Sequence, residues 1–235
     1  MNFLLVNDDG FGSKGITLLE KKLKKYGEVY VVAPKEQQSG KSTSLIYGRE
    51  INFERIDDHH FIVDGTPVNC VITGLFGIGK HIDIVISGCN DGYNMSLDTM
   101  YSGTIGACTQ ALFSKVPAIS FSTKVNHFLE VENNFDEVFS FILEHKLYSS
   151  NYSLNVNFPP ALKIKGIKLT SLHEPLIEYS LEHLEYSLVD YRNNIFESAK
   201  RGTDVYEVYN GYVSITPLSK NCFSTSILTK LKKKL

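Results

Sequence analysis

The chain has 235 residues, 43% hydrophobic and 21% charged, with a net charge of −2. That composition suits one large α/β domain, or one domain with an extension, and it is ordinary for a soluble globular protein. The near-neutral balance has no long run of one sign before Lys232-Lys233-Lys234, which argues against a protein that coats polymeric nucleic acid and leaves small phosphorylated ligands open.

The apolar run Phe3 to Val6 reads as a buried parallel strand, because it is apolar at every position rather than alternating. It ends in Asp8-Asp9-Gly10. A helix follows, with Ile16, Leu19, Leu23 and Tyr26 on one face and Gly27 as a natural C-cap. Glu28 to Ala33 forms the second strand, stopped by Pro34, and the three elements make a right-handed βαβ unit. A polar loop, Pro34 to Tyr47, comes next. Short strands around Glu50–Phe53 and Phe61–Val63 suggest a side ribbon, with His59 and His60 facing opposite ways. Thr66-Pro67 opens a helix through Val71, Leu75 and Phe76. Ile82 to Ser87 is a buried strand, and a loop rich in Gly and Asn spans Gly88 to Asn94. Ser102-Gly103-Thr104 opens a helix through Ala107, Ala111 and Leu112. Pro117–Ser122 is a strand, Phe135–Leu147 an amphipathic helix and Leu154–Val156 a strand.

The texture changes near residue 163. Ile164–Leu172 alternates, as an exposed strand does. Residues 175–205 are polar and rich in tyrosine, Tyr212–Thr216 is a strand, and the last ten residues read as a basic amphipathic helix. The expected organisation is an α/β core over 1–162, with a mostly parallel sheet, and an arm with a closing strand and helix over 163–235, packed with the core as a single functional domain. The cysteines Cys70, Cys89, Cys108 and Cys222 are widely spaced, which points to buried thiols rather than a disulfide framework or zinc site. The N-terminus lacks the basic start and long apolar run of a signal peptide, and no stretch approaches the roughly 20 apolar residues of a membrane span. Cytoplasmic residence is the expectation.

Two familiar motifs are imitated and rejected. Gly10-x-Gly12-x-x-Gly15 matches the dinucleotide fingerprint, but Asp8 and Asp9 would repel a pyrophosphate, and Ala33-Pro34-Lys35 stands where the fingerprint needs an acid. Gly40-Lys41-Ser42 resembles the end of a P-loop, but Lys35 occupies the position of the first glycine. What remains is a set of loops at the carboxyl ends of neighbouring strands, where α/β sheets bind ligands. Asp8, Asp9, Ser39 and Asn90 form a hard oxygen set suited to Mg²⁺, Mn²⁺ or Ca²⁺. Ser102-Gly103-Thr104 is either a phosphate-binding helix N-terminus or a plain N-cap.

These loops resemble the SurE family of stationary-phase survival nucleotidases. The matching pieces are Leu5-Val6-Asn7-Asp8-Asp9-Gly10, Val32-Ala33-Pro34 with Ser39-Gly40-Lys41-Ser42, and Gly65-Thr66-Pro67. They continue with Ser87-Gly88-Cys89-Asn90-Asp91-Gly92-Tyr93-Asn94, Tyr101-Ser102-Gly103-Thr104, Gly202-Thr203-Asp204 and Gly211 to Leu218. Asn69 departs from the aspartate usual after Gly-Thr-Pro. The resemblance implies a Rossmann-like three-layer fold and hydrolysis of nucleoside monophosphates by metal-activated water. It implies one Mg²⁺ or Mn²⁺ per subunit on Asp8, Asp9, Ser39 and Asn90, with Asp8 or Asp9 as the catalytic carboxylate. Asn7, Gly40, Ser42, Asn94, Ser102, Gly103 and Thr104 are expected to hold the phosphate, and a C-terminal arm to build a homodimer or homotetramer. Two rival readings use the same residues: an aspartyl-phosphate on Asp8, and a non-catalytic nucleotide-binding or sensing protein.

Overall fold

β1 (Asn2–Val6) is the strand from which the sheet grows in both directions. The computed structural model describes residues 1–182, 185–190 and 199–220, with Thr229 and Lys232 beyond them. After β1 come α1 (Lys14–Leu23), β2 (Glu28–Pro34), β3 (Phe53–Arg55), β4 (His60–Val63) and α2 (Pro67–Ile72). β5 (Ile84–Asp91), α3 (Gly103–Phe113), β6 (Ala118–Thr123), α4 (Phe128–Glu144) and β7 (Tyr152–Asn157) complete the central part. The C-terminal part supplies β8 (Ile167–Leu169), the hairpin β9 (Ile177–Glu182) and β10 (Glu185–Asp190), α5 (Asp204–Tyr209) and β11 (Val213–Ser219).

Among the described residues, the main sheet runs β3-β4-β2-β1-β5-β6-β7-β11-β8. The pairs from β4 to β7 are parallel, while β3 and β11 lie antiparallel to their inner neighbours. The chain moves outward from β1 through β2 to β4, then returns to β5 on the other side of β1. This reversal makes the carboxyl ends of β1 and β5 the topological switch point, where such sheets place their ligands.

Alternate residues of β1 feed the two faces. Phe3 and Leu5 join the core beneath α1 and α4, with Phe121, Phe135, Phe139 and Phe158. Leu4 and Val6 join the second core beneath α2 and α3. The result is the expected three-layer arrangement. The C-terminal part is less separate than its texture suggests, because β11 pairs with β7 in register from Ser214↔Asn157 to Ser219↔Tyr152. The hairpin β9–β10 stands outside this sheet.

Several boundaries differ from expectation for physical reasons. α1 ends at Leu23 rather than near Tyr26, and Gly27 is not its cap. A Cβ on Gly27 would overlap the Met1 carbonyl, so the glycine serves the approach of β2 to the chain start. The Tyr26 hydroxyl instead donates to Asp136 Oδ1 at 3.2 Å. β3 and β4 are not a side ribbon, because β4 extends the sheet parallel to β2. His60 begins β4 and bridges Asp57 and Glu20, whereas His59 stacks on Tyr30 at 5.2 Å. α4 starts at Phe128, earlier than its strongest apolar stripe. The proposed C-terminal helix lies, apart from Thr229 and Lys232, outside the described residues.

Gly15 explains one part of the false dinucleotide fingerprint. A Cβ there would overlap the Cys89 carbonyl, so α1 packs directly on the backbone near the end of β5. Gly15→Ala is expected to destabilise the protein by about 2 kcal/mol or more, the usual cost of overpacking a closed contact. Urea denaturation measures this, and an unchanged midpoint would contradict the packing.

Candidate functional site

The loop after β1 is folded by Asn7. Its Nδ2 donates to the Gly10 carbonyl at 3.0 Å and to Ser13 Oγ at 2.8 Å. Gly10 and Gly12 take φ values of +98° and +76° to make the return, conformations that glycine adopts without a Cβ clash. The turn delivers Asp8 inward, and its residue is only 3% exposed. Thr104 Oγ1 donates to Asp8 Oδ1 at 2.6 Å. Gly103 lies so near that a Cβ on it would stand 3.0 Å from Asp8 Oδ2.

Burial pushes the Asp8 carboxyl up to about 6, moderated by the Thr104 hydroxyl and reinforced by the charge of Asp9. Burial also raises the Asp9 carboxyl; the Asp91 amide opposes this and the Asp91 charge adds to it. No ion pair within 4.0 Å joins either carboxylate to a Lys, Arg or His among the described residues. Two adjacent anions, one of them buried, therefore stand without a cationic partner among the described residues.

The loop after β2 closes over this pair from one side. The Gln38 amide donates to the Asp8 carbonyl at 2.7 Å, which sets Ser39 and Gly40 next to the acidic turn. Ser39 is exposed, and its Oγ accepts from Gln37 Nε2. Ser42 sits at φ +52°, with its amide donating to Tyr101 O and its hydroxyl to Met100 O at 2.6 Å. A Cβ on Gly106 would overlap the Ser42 carbonyl, so loop and helix are in backbone contact. The departure at Asn69 has a use here: its Oδ1 accepts from Ile46 N and its Nδ2 donates to Ile46 O. An aspartate would supply no such donor. Asn69 also completes the Thr66 capping box that opens α2.

The end of β5 closes the other side; the strand runs past the Ser87 expected as its end to Asp91, because Asn90 and Asp91 pair with Ser122 and Thr123 after a register shift. Asn90 donates Nδ2 to Gly92 O, and its Oδ1 accepts no hydrogen bond among the described residues. The Asp91 amide donates to Asp9 Oδ2 at 3.3 Å, and the Asp91 carboxylate takes the Asn126 amide. Asn94 is directed into the end of the sheet. It donates Nδ2 to Ser122 Oγ at 2.8 Å, while its backbone is held by Asn155 and Asn157. A cavity of about 160 Å³ lined by Asp9, Ser13, Lys14, Gly15, Asp91 and Phe128 adjoins the acidic pair. A larger one, about 660 Å³, lies near Glu28 and His59, at the opposite ends of the strands.

The structure thus gathers Asp8, Asp9, Gly103 and Thr104 directly, and brings the loops of Ser39, Gly40, Ser42 and Asn90 to them. Thr104 is engaged with Asp8 itself, Ser102 Oγ caps the Ile105 amide, and Asn7 and Asn94 hold their own loops. The roles of Gln38 and Asp91 were missed because they act through backbone amides, which carry no residue signature. The donor set fits a divalent cation: uncompensated carboxylates, an open amide carbonyl and a hydroxyl are hard oxygen ligands. No group of three His, Cys, Asp or Glu side chains suited to a metal occurs among the described residues. Such a site would therefore rest on two anions and neutral oxygens.

The fold is thus doubly wound α/β, with an acidic, oxygen-rich cluster at its switch point. The family model described as "Survival protein SurE" matches residues 3–178. The chain is 34% identical to the 5'-nucleotidase SurE of Leptospira interrogans, covering 100% of this chain and 98% of that protein. It is 36% identical to the 5'-nucleotidase SurE of Legionella pneumophila, over 93% and 90%. The crystal structure of SurE protein from Aquifex aeolicus superposes with a TM-score of 0.85 at 32% identity, covering 99% of both chains. The chain belongs to the SurE family.

The buried charge has a measurable consequence. Folded Asp8 keeps its proton to about pH 6, whereas an ordinary aspartate releases it near 3.8. The stabilisation from that proton is complete below the lower value and lost as pH rises through the higher one. Metal-free protein at neutral pH therefore bears a cost on the order of 3 kcal/mol. In EDTA near pH 7.5, Asp8→Asn is expected to unfold at higher urea than the unsubstituted chain, the gap narrowing toward pH 4.5. A variant that is less stable at pH 7.5 would refute the uncompensated charge.

Proposed function

We propose that this protein is a divalent-metal-dependent nucleotidase that hydrolyses nucleoside monophosphates to nucleoside and phosphate. The observation that carries the proposal is the pair Asp8–Asp9, uncompensated and seated beside the start of α3 at the sheet's switch point. Family membership and the names of the relatives support the reaction class: 5'-nucleotidase in several, and 5'/3'-nucleotidase in Wigglesworthia glossinidia.

Asp8, Asp9, Ser39 and Asn90 would hold one Mg²⁺ or Mn²⁺ per subunit. When bound, the ion supplies charge neutralisation at the phosphoryl oxygens and makes water more acidic. Asp9, the more accessible carboxylate, orients the attacking water and accepts its proton; Asp8, fixed by Thr104, supplies the buried charge that anchors the site. The first turn of α3 turns its amides and positive dipole end toward the phosphate. Ser42, Gly40 and Ser102 flank that position on the closing loops, and Asn7 and Asn94 act by holding the loops in place.

The remaining assignments belong to the same proposal. Residues 1–162 form the catalytic core and 163–235 the arm and closing elements. The hairpin β9–β10 mediates a homodimer or homotetramer. No helix among the described residues is long and apolar enough to cross a membrane, which is compatible with cytoplasmic residence.

With Mn²⁺ in excess, Asp9→Asn is expected to release phosphate from AMP at least about 100-fold more slowly. Hydrolysis at the unsubstituted rate would overturn the assignment. Replacing residues 177–190 by a short Gly-Ser turn is expected to give a monomer by light scattering; an unchanged mass would remove the arm from assembly.

A further inference from the structure

The segment after residue 163 is tied, through the side chain of Asp204, to the loop that leads into α3. Asp204, at the start of α5, has 0% exposure and accepts three backbone amides. Ser96 N donates to its Oδ2 at 2.7 Å, while His173 N and Val205 N donate to Oδ1 at 2.9 and 2.8 Å. The three donors come from three separate stretches of chain, so the carboxylate is a junction rather than a local cap. Ser96 lies at φ +64°, an unusual conformation for a serine. Its neighbour Leu97 donates to the His173 carbonyl at 3.0 Å, which closes a bracket around Asp204. Asp98 Oδ2 adds a second tie, accepting from Ser96 Oγ at 2.8 Å and from Leu176 N at 2.7 Å. Met95 packs with Val205 and Val208 beneath the same bracket.

Ser96 lies midway along the loop that carries Asn90 at one end and the start of α3 at the other. Downstream of it, Met100 and Tyr101 offer their carbonyls to Ser42, Ser102 caps α3, and Thr104 donates to Asp8. A short path of hydrogen bonds and one short 3₁₀ turn (Leu97–Tyr101) therefore joins Asp204 to the acidic pair.

We infer that Asp204 is a positioning residue for phosphate release: it fixes Ser96, and through it the approach of the α3 N-terminus and Ser42 to Asp8. The inference rests on the nucleotidase reading, and it makes the C-terminal segment part of the catalytic assembly. A carboxylate suits the post because both oxygens are acceptors. An asparagine of the same shape must turn an NH₂ group toward at least one of the three converging N–H donors.

The test is Asp204→Asn in the full chain, assayed with AMP and saturating Mn²⁺ at a temperature where more than nine-tenths of the variant is folded. The expected result is kcat at least about tenfold lower per folded molecule, with Mn²⁺ affinity by calorimetry within about threefold. Amide exchange over residues 95–101 should also be faster. A residue that only stabilises the fold would lower the melting temperature and leave kcat per folded molecule unchanged, and that outcome overturns the inference. Should the variant not fold, exchange in the unsubstituted protein decides. Adding Mn²⁺ and inorganic phosphate should slow the Ser96, His173 and Val205 amides together. Protection confined to the loops at 7–13 and 38–42 overturns the inference. If the unsubstituted protein releases no phosphate from AMP, the nucleotidase reading fails and the same exchange experiment still judges the junction.

Discussion

A carboxylate with almost no exposure, beside a second carboxylate and without a cation, is the constraint on which this site depends. Asp8 is tolerated because neighbouring loops supply donors: Thr104 donates to its side chain and Gln38 to its backbone carbonyl. The same contacts bring the loop after β2 and the first turn of α3 to one point. Remove the buried charge, and the donor that locks α3 to β1 has a weaker acceptor. The electrostatic cost and the geometric order of the site are thus two effects of one residue. A divalent cation held there, as proposed, would offset the cost, since it would bind the folded site and have no comparable site in the unfolded chain.

Backbone contacts make that convergence possible. α1 meets the end of β5 at Gly15, and α3 meets the loop after β2 at Gly106. At each place a carbonyl occupies the space of a side chain. These contacts set loop positions more sharply than side-chain packing would, because a backbone carbonyl cannot change rotamer. The motif Gly10-x-Gly12-x-x-Gly15 serves two turns and one close contact, which is a structural use of glycines that elsewhere admit a pyrophosphate.

Much of this was legible in the sequence because burial writes a pattern. The continuous apolar run of β1 and the βαβ unit it opens pointed to a parallel sheet, and Asp8-Asp9 marked the carboxyl end of its first strand. Thr66-Pro67 announced α2 through cap chemistry, and the structure shows that cap. What was not legible is long-range and backbone-borne. Gly27 looked like a helix cap because its contact, the Met1 carbonyl, lies in another element. Asn94 looked like a ligand-binding amide, while Ser122, 28 residues away, takes its hydrogen bond. Residues after 163 looked appended, because nothing local reveals that β11 enters the main sheet beside β7. Alternation showed an exposed face, and said nothing of which strand lay alongside.

The remaining question is why a helix start suited to phosphate should face two aspartates that repel it. The first turn of α3 carries the positive end of a dipole, which favours an anion. Asp8 lies against that same turn. Without a cation, Asp8 itself is the anion that the turn stabilises, and a phosphate arriving there meets two like charges. A cation held by these carboxylates, as proposed, would offset that repulsion and leave the helix contribution intact. On that reading the site would favour metal before phosphate. Dinucleotide sites need no such order, because their helix N-terminus is unopposed. Under the proposed function, Asp8 and Asp9 would convert a general phosphate-binding geometry into one that engages phosphate only beside a metal, which is the property a metal-dependent phosphoryl hydrolase requires.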